Sequence, residues 1–286
     1  MASKTIVILG GGVGGMIAAN ELRARLSPDH RVVMVERDVR HAFAPSFLWL
    51  MTGDRRPHQV CRAVVNLVRR GVECIHATAE AIDLLQRKVI TSAGEVTFDY
   101  LIVAVGANLA PAAIPGLAEA SQTFYTFEGA LSLYHALATL AAGRIAVVVA
   151  AMPYKCPGAP HEGAMLIADY LRRNGRRTGV AIDLFTPESQ PMPVAGPLLG
   201  AAVVEMLEAK QIRFRPLHAL AAVDPAARLM RFQQGQTERY DLLIAVPPHR
   251  APRLVREAGL TNATGWVPVS PSTRETEHSG VFAIGD

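Results

Sequence analysis

Thr5-Ile6-Val7-Ile8-Leu9-Gly10-Gly11-Gly12-Val13-Gly14-Gly15 decides the fold. A continuous β-rich apolar run breaks into glycines, and Met16 to Leu26 then carries Ala18, Ala19 and Leu22 at helical spacing. A second apolar run, Arg31 to Val35, ends in Glu36-Arg37. The first ~35 residues therefore form one βαβ unit of the parallel-sheet type. Within the turn, Gly10, Gly12 and Gly15 supply G-x-G-x-x-G, with Gly14 beside them. The first glycine permits a tight turn, the second lets the backbone approach a pyrophosphate, and the third allows close packing of helix on strand. Free amides at the helix N-terminus meet the phosphates. Glu36, 21 residues beyond Gly15, is placed to accept a hydrogen bond from an adenosine ribose hydroxyl. Arg37 either covers the adenine or is a solvated strand end. Strand, turn, helix and acid together predict a dinucleotide site.

Outward from this unit, 286 residues amount to about two domains or one large α/β unit at a typical ~150 residues per domain. Half the chain is hydrophobic and 19% is charged, which excludes disorder and coiled coil. A net charge of +4, without a basic run interleaved with aromatics, makes nucleic acid an improper partner. Cys61, Cys74 and Cys156 form no CxxC pair, and the nine histidines have no metal spacing, so no metal site is expected. The N-terminus enters a strand at once, without the charged and apolar regions of a secretory leader, and a cytoplasmic location is expected. The longest apolar stretch, Ala130 to Met152, is interrupted by Tyr134, His135, Gly143 and Arg144, which disfavours a membrane span.

Further along, Asp38 to His58 reads as a long loop, and Val60, Val64, Leu67 and Val68 fall at helical spacing. Strands are predicted around 73–77, 88–91, 96–98 and 100–105, and a helix over 129–142. A second βα unit begins with the strand Arg144 to Ala150, followed by a loop, a helix from His161 to Arg173 and a strand from Val180 to Thr186. Further elements are expected at 198–210 and 241–246. The architecture expected is α/β, with two Rossmann-like domains built on central parallel sheets. Boundaries are expected at 1–115, 116–263 and a return to the first domain over 264–286.

Val281-Phe282-Ala283-Ile284-Gly285-Asp286 resembles the last flavin signature of the two-dinucleotide-domain flavoproteins, and Val103-Ala104-Val105-Gly106-Ala107 their middle one. The resemblance implies FAD as the cofactor, with the Asp286 carboxylate reaching the ribityl chain. The cofactor-binding set is then Gly10, Gly12, Gly14, Gly15, Glu36, Arg37, Ser46, Ala104, Gly106, Gly285 and Asp286.

Relatives that use a nicotinamide carry another glycine turn after the second unit's first strand. This chain has Met152-Pro153-Tyr154-Lys155-Cys156-Pro157-Gly158-Ala159-Pro160. Three prolines remove three N–H donors, and one glycine does not rebuild a phosphate turn. A cysteine stands instead beside Lys155 and just ahead of a helix N-terminus, a setting that favours thiolate character. Cys156-Pro157-Gly158-Ala159-Pro160-His161-Glu162-Gly163-Ala164, together with Pro191 to Pro197 and Val246-Pro247-Pro248-His249-Arg250, resembles the sulfide:quinone oxidoreductases and the flavoprotein subunit of flavocytochrome c sulfide dehydrogenase.

That resemblance implies that Cys156 is one of a redox cysteine pair and that Glu162 accepts a proton. It implies oxidation of a small sulfur donor, with a quinone as electron acceptor. It also implies a further C-terminal region that carries the partner cysteine and a peripheral contact with the cytoplasmic membrane. An NADH:quinone dehydrogenase and a non-catalytic flavin-binding fragment stand as alternatives. Cys61, beside an apolar helix face, and Cys74, in a strand, are read as buried structural thiols. Arg172, Arg173, Arg176 and Arg177 read as a solvated helix end, and His249 either lines the flavin or quinone side or is a solvated loop residue.

Overall fold

The computed structural model describes residues 2–286. The packing divides them into two compact units: one built from the N-terminus to Ala42, Cys61–Asn108 and Arg250–Asp286, the other from Phe43–Val60 and Leu109–His249. The sequence boundaries at 115 and 263 therefore differ from the packing, which passes to the second unit at Leu109 and back at Arg250. Ala251, Val255 and Leu260 bury against the first unit's core, which draws that return forward.

In the first unit, β1 (Thr5–Leu9), β2 (Arg31–Glu36), β3 (Val72–His76), β4 (Tyr100–Val103) and the strand Val281–Ala283 form one parallel sheet. Their order is Val281–Ala283, β4, β1, β2, β3. Alternation along the strands explains why it is buried on both faces. Val7, Leu9, Val33 and Val35 point into one cluster with Ile82, Val89 and Val96. Ile8, Val32 and Met34 point into another with Met16 and Ala19 of α1 (Val13–Arg25). The residues from the three-stranded antiparallel sheet Ala79–Asp83, Lys88–Thr91 and Gly94–Thr97 thus cap one face, and α1 the other.

The stretch from 38 to 68 departs from its sequence reading. Arg40–Ala42 and Cys61–Ala63 pair antiparallel, with Ala42 opposite Cys61, so Cys61 lies in a strand and not on a helix face. It is buried, as expected. Val64–Asn66 is a single 3-10 turn, and Val64, Leu67 and Val68 pack against the α1 cluster without a continuous helix. Inside the expected loop, Phe47–Met51 is helical because Phe47, Leu48, Leu50 and Met51 are buried in the second unit, with Phe47 edge-on to Phe127.

The second unit repeats the plan. α2 (Phe127–Thr139), α3 (Ala159–Arg173) and α4 (Pro197–Ala209) accompany a parallel sheet of β5 (Ser121–Gln122), β6 (Gly143–Val149), β7 (Val180–Phe185), β8 (Ile212–Arg215) and β9 (Leu242–Val246). The order is β5-β9-β6-β7-β8, with β6 where β1 stands in the first unit. A second antiparallel sheet, Leu220–Asp224, Leu229–Phe232 and Thr237–Arg239, buries Met230 and Phe232 with Phe185. The two βα turns are evident in the sequence, but neither three-stranded antiparallel sheet is evident as such.

Arginines hold this unit together. Asp183, fully buried on β7, receives Arg144 of β6 and Arg213 of β8 at 2.6 Å each. Burial alone would push its carboxyl up, but the two guanidinium groups outweigh that and hold it below the ordinary range. The expected solvated helix end is corrected for Arg176 and Arg177, while Arg172 and Arg173 are exposed as expected. Arg176 donates to the carbonyls of Leu137, Ala138 and Leu140 at the end of α2, Arg177 to those of Lys210 and Gln211. Arg173 makes a two-pronged pair with Asp54 at 2.7 and 2.9 Å. Last-turn carbonyls lack helical partners, and these guanidinium groups supply them. No helix among the described residues is long and apolar enough to cross a membrane.

Candidate functional site

The first turn is built by steric necessity. Gly10 donates its N–H to Val35 O at 2.9 Å and sits at φ +98°, and a Cβ there would overlap the Ala104 carbonyl. A Cβ on Gly15 would run into the Gly10 carbonyl, so α1 can rest on the turn only with glycine at that position. Ala104 N–H donates to Leu9 O at 2.8 Å, and Ile284 N–H to Val103 O at 3.0 Å. A Cβ on Gly14 would stand 3.5 Å from Ile284 Cδ1 and 3.9 Å from Gly285 N. Three segments far apart in sequence, 10–15, 104–106 and 284–286, thus converge at one end of one sheet.

The turn also fits the dinucleotide. A Cβ at Gly12 would meet no atom within 4 Å, which leaves room for a pyrophosphate over the backbone. α1 starts after Gly12, its N-cap, without a side-chain cap and without an acid in its first turn, so the helix itself sets no carboxylate against a phosphate at its positive end. Glu36 accepts from Gly11 N–H through Oε2 and from Asp38 N–H at 2.8 Å through Oε1, which brings its carboxylate to the turn. Arg37 is exposed and pairs with Asp38 at 3.3 Å. Ser46, in a 3-10 turn, packs with the second unit rather than with this cluster. Gly106, Gly285 and Asp286 lie on the segments that converge here, Asp286 exposed three residues beyond the strand Val281–Ala283.

The second turn has another construction. After β6, Ala150 N–H donates to Val246 O at 3.0 Å, and residues 152–158 then run as an irregular loop into α3. Cys156 is exposed and left-handed, at φ +56°, a conformation that costs a non-glycine residue about 1–2 kcal/mol. Its carbonyl accepts from Ala159 N–H at 3.0 Å. Side chains pin the loop on either side. Tyr125 directs its hydroxyl at the carbonyls of Lys155, 3.0 Å, and Cys156, 3.4 Å. The Tyr154 hydroxyl donates to Glu188 Oε2 at 2.9 Å, and Thr186 Oγ1 donates to the same oxygen at 2.9 Å. Burial, then the Glu188 charge, push the Tyr154 phenol well above its ordinary pKa, so it stays a donor.

His161, only 1% exposed, places Nδ1 3.2 Å from the Pro157 carbonyl. A carbonyl only accepts, so Nδ1 carries the proton, and Nε2 is buried with no hydrogen-bond partner among the described residues. Burial lowers the pKa of this imidazole. Glu162 is exposed in the first turn of α3, where its charge complements the helix end. His249 is buried, its ring edge-on to Tyr125 at 5.6 Å and Nδ1 2.8 Å from Pro247 O, which corrects the solvated reading. Cys74 is half-buried on β3, where burial raises its thiol pKa. Sequence reasoning missed Tyr125 and Glu188. Tyr125 stands in a four-residue connection with no motif, and Glu188 lies beyond a strand whose turn does not look like a nucleotide site.

Residues 4–286 match the family described as pyridine nucleotide-disulphide oxidoreductase. The chain is 25% identical to the mitochondrial sulfide:quinone oxidoreductase of Mus musculus, over 98% of its own length and 65% of the relative's. It is 27% identical to the sulfide-quinone reductase of Aquifex aeolicus, over 99% and 68%. The X-ray structure of the Aquifex aeolicus sulfide:quinone oxidoreductase superposes with a TM-score of 0.88 at 26% identity, again over 99% of this chain and 68% of that one. The chain thus spans about two thirds of the length of these relatives. With a glycine turn, a middle strand and a closing Gly-Asp brought to one end of a parallel sheet, and with the family match running over residues 4–286, the chain belongs to the pyridine nucleotide-disulphide oxidoreductases, flavoproteins built on Rossmann-type units.

Proposed function

We propose that the protein oxidises sulfide or a related small sulfur species and passes the electrons to a quinone. The observation that carries this reading is an exposed thiol, Cys156, held left-handed in the loop that stands where a second nucleotide turn would be. The names of the Mus musculus and Aquifex aeolicus relatives point to the same substrates. Gly10–Gly15, Glu36 and the Ala104–Gly106 and Gly285-Asp286 segments would hold FAD, which would supply a two-electron acceptor between the sulfur donor and a quinone. Cys156 supplies the sulfur to which substrate sulfur bonds. In that step a thiolate and hydrosulfide form a persulfide, releasing one proton and two electrons. Glu162, six residues on and exposed at the start of α3, takes up the proton. Arg37, exposed just past the end of β2, covers the adenine in this reading.

The prolines at 153, 157 and 160 leave few free N–H groups for a second dinucleotide. The carboxylate beyond β7, Glu188, is already engaged by Tyr154 and Thr186. Both favour a sulfur donor over NADH. The test is anaerobic mixing of FAD-loaded protein with sulfide and, separately, with NADH while flavin absorbance is followed. Bleaching by sulfide that Cys156→Ser abolishes is the expected result; bleaching by NADH alone overturns the proposal in favour of a dehydrogenase.

A further inference from the structure

We infer that Tyr125 and Tyr154 are positioning residues that hold the Cys156 loop in its outward, left-handed form, an inference that rests on the reading of Cys156 as the reacting thiol. Left-handed backbone is unfavourable for cysteine, so the loop keeps it only if contacts elsewhere over-determine it. Those contacts are present and come from two independent elements. Tyr154 ties the N-terminal side of the loop to the segment after β7 through Glu188, itself fixed by Thr186, which is fully buried. Tyr125 spans the centre, its hydroxyl reaching the Lys155 and Cys156 carbonyls.

The base under Tyr125 is rigid. Thr123 Oγ1 accepts from its N–H at 3.2 Å, Thr126 caps α2 by accepting from Gly129 N–H at 3.0 Å, and the adjacent Phe124 is 3% exposed. Gly163 of α3 lets the Phe124 ring approach so closely that a Cβ there would stand 3.0 Å from its Cζ. The route from α2 and α3 to the Cys156 backbone thus runs through packed side chains, with a hydroxyl at its end. Neither tyrosine needs to touch substrate. Each fixes where Sγ stands before substrate arrives, and orientation of a nucleophile is itself a source of rate.

The experiment compares FAD-loaded wild-type protein with Tyr125→Phe, Tyr154→Phe and the double variant, each confirmed folded by thermal unfolding. Two readouts are taken: hydrogen exchange at the amide of Ala159, which closes the loop by donating to Cys156 O at 3.0 Å, and the sulfide dependence of flavin reduction. Loss of one hydrogen bond is expected to raise loop exchange about threefold to tenfold, with β6 and β7 unchanged. The limiting rate of flavin reduction falls with it, while half-saturating sulfide stays constant, a split that general destabilisation does not produce. Unchanged loop exchange in the double variant overturns the inference, and so does an unchanged limiting rate when exchange has risen. Failure of sulfide to reduce the wild-type flavin overturns the proposed function instead, and the exchange result then decides the anchoring alone.

Discussion

The turn after β1 and the turn after β6 occupy equivalent places in two units of the same plan, yet they are stabilised in opposite ways. The first depends on missing atoms: Gly10 and Gly15 leave space that backbone fills, and nothing but glycine fits. The second depends on added atoms: two tyrosine hydroxyls, an imidazole and a carboxylate pin a proline-rich loop that lacks the amides a phosphate needs. A Rossmann-type unit therefore offers a position at the end of its first strand, and the residues there decide whether bare backbone or an exposed thiol is presented.

The largest expected effect tests the first half of that contrast. Gly15→Ala places a methyl in the Gly10 carbonyl and should cost about 3 kcal/mol, the upper end for overpacking, together with loss of bound flavin. Thermal unfolding and released-flavin fluorescence measure both. A variant of normal stability and flavin content would break the steric account of the first turn.

A smaller effect comes from His161. Its folded-state pKa lies below the unfolded value near ~6.5, so the unfolded chain takes up a proton that the folded chain refuses. Stability should thus be intact above about pH 6.5 and fall as pH drops below it, by up to about 1.4 kcal/mol per pH unit until the folded pKa is reached. His161→Asn, which keeps a donor for Pro157, should flatten that slope in urea unfolding at several pH values. An unaltered slope would remove His161 as its source.

At Cys156 the expected difference is about 0.5–1 kcal/mol: Cys156→Gly should be more stable than Cys156→Ala, because only glycine takes φ +56° without penalty. Equal stabilities would mean that the loop relaxes when the thiol is gone. Smallest of all, Gly158→Ala should cost no more than about 0.5 kcal/mol, since Gly158 has φ −76° and its Cβ would meet only Met192 Sδ at 3.6 Å. A large loss there would erase the difference between the two turns.

The first turn was legible in the sequence because each of its glycines answers a local steric demand, and Glu36 follows at a spacing set by one helix and one strand. The irregular loop around Cys156 was legible for a similar reason, since prolines on either side preclude a glycine-type turn. The anchors were not. Tyr125 and Glu188 reach the loop from 30 and 34 residues away, and no periodicity encodes a contact that depends on how β5, β7 and α3 pack. The stretch 60–68 misled because its apolar spacing suits a helix, whereas pairing of Cys61 with Ala42 takes its first residues into a strand. The arginines after α3 misled for a related reason. Charge near a helix end looks solvated until the carbonyls of a neighbouring helix, here those of α2, are seen to lack partners.

The contrast between the turns is tested most directly by counting dinucleotides bound per chain, with FAD and NADH titrated separately by isothermal calorimetry. One FAD per chain, lost in Gly15→Ala, and no NADH bound at concentrations up to about 1 mM, an affinity weaker than about −4 kcal/mol, is the expected result. Stoichiometric NADH binding at micromolar concentration, alongside FAD, would contradict it and return the second turn to nucleotide recognition.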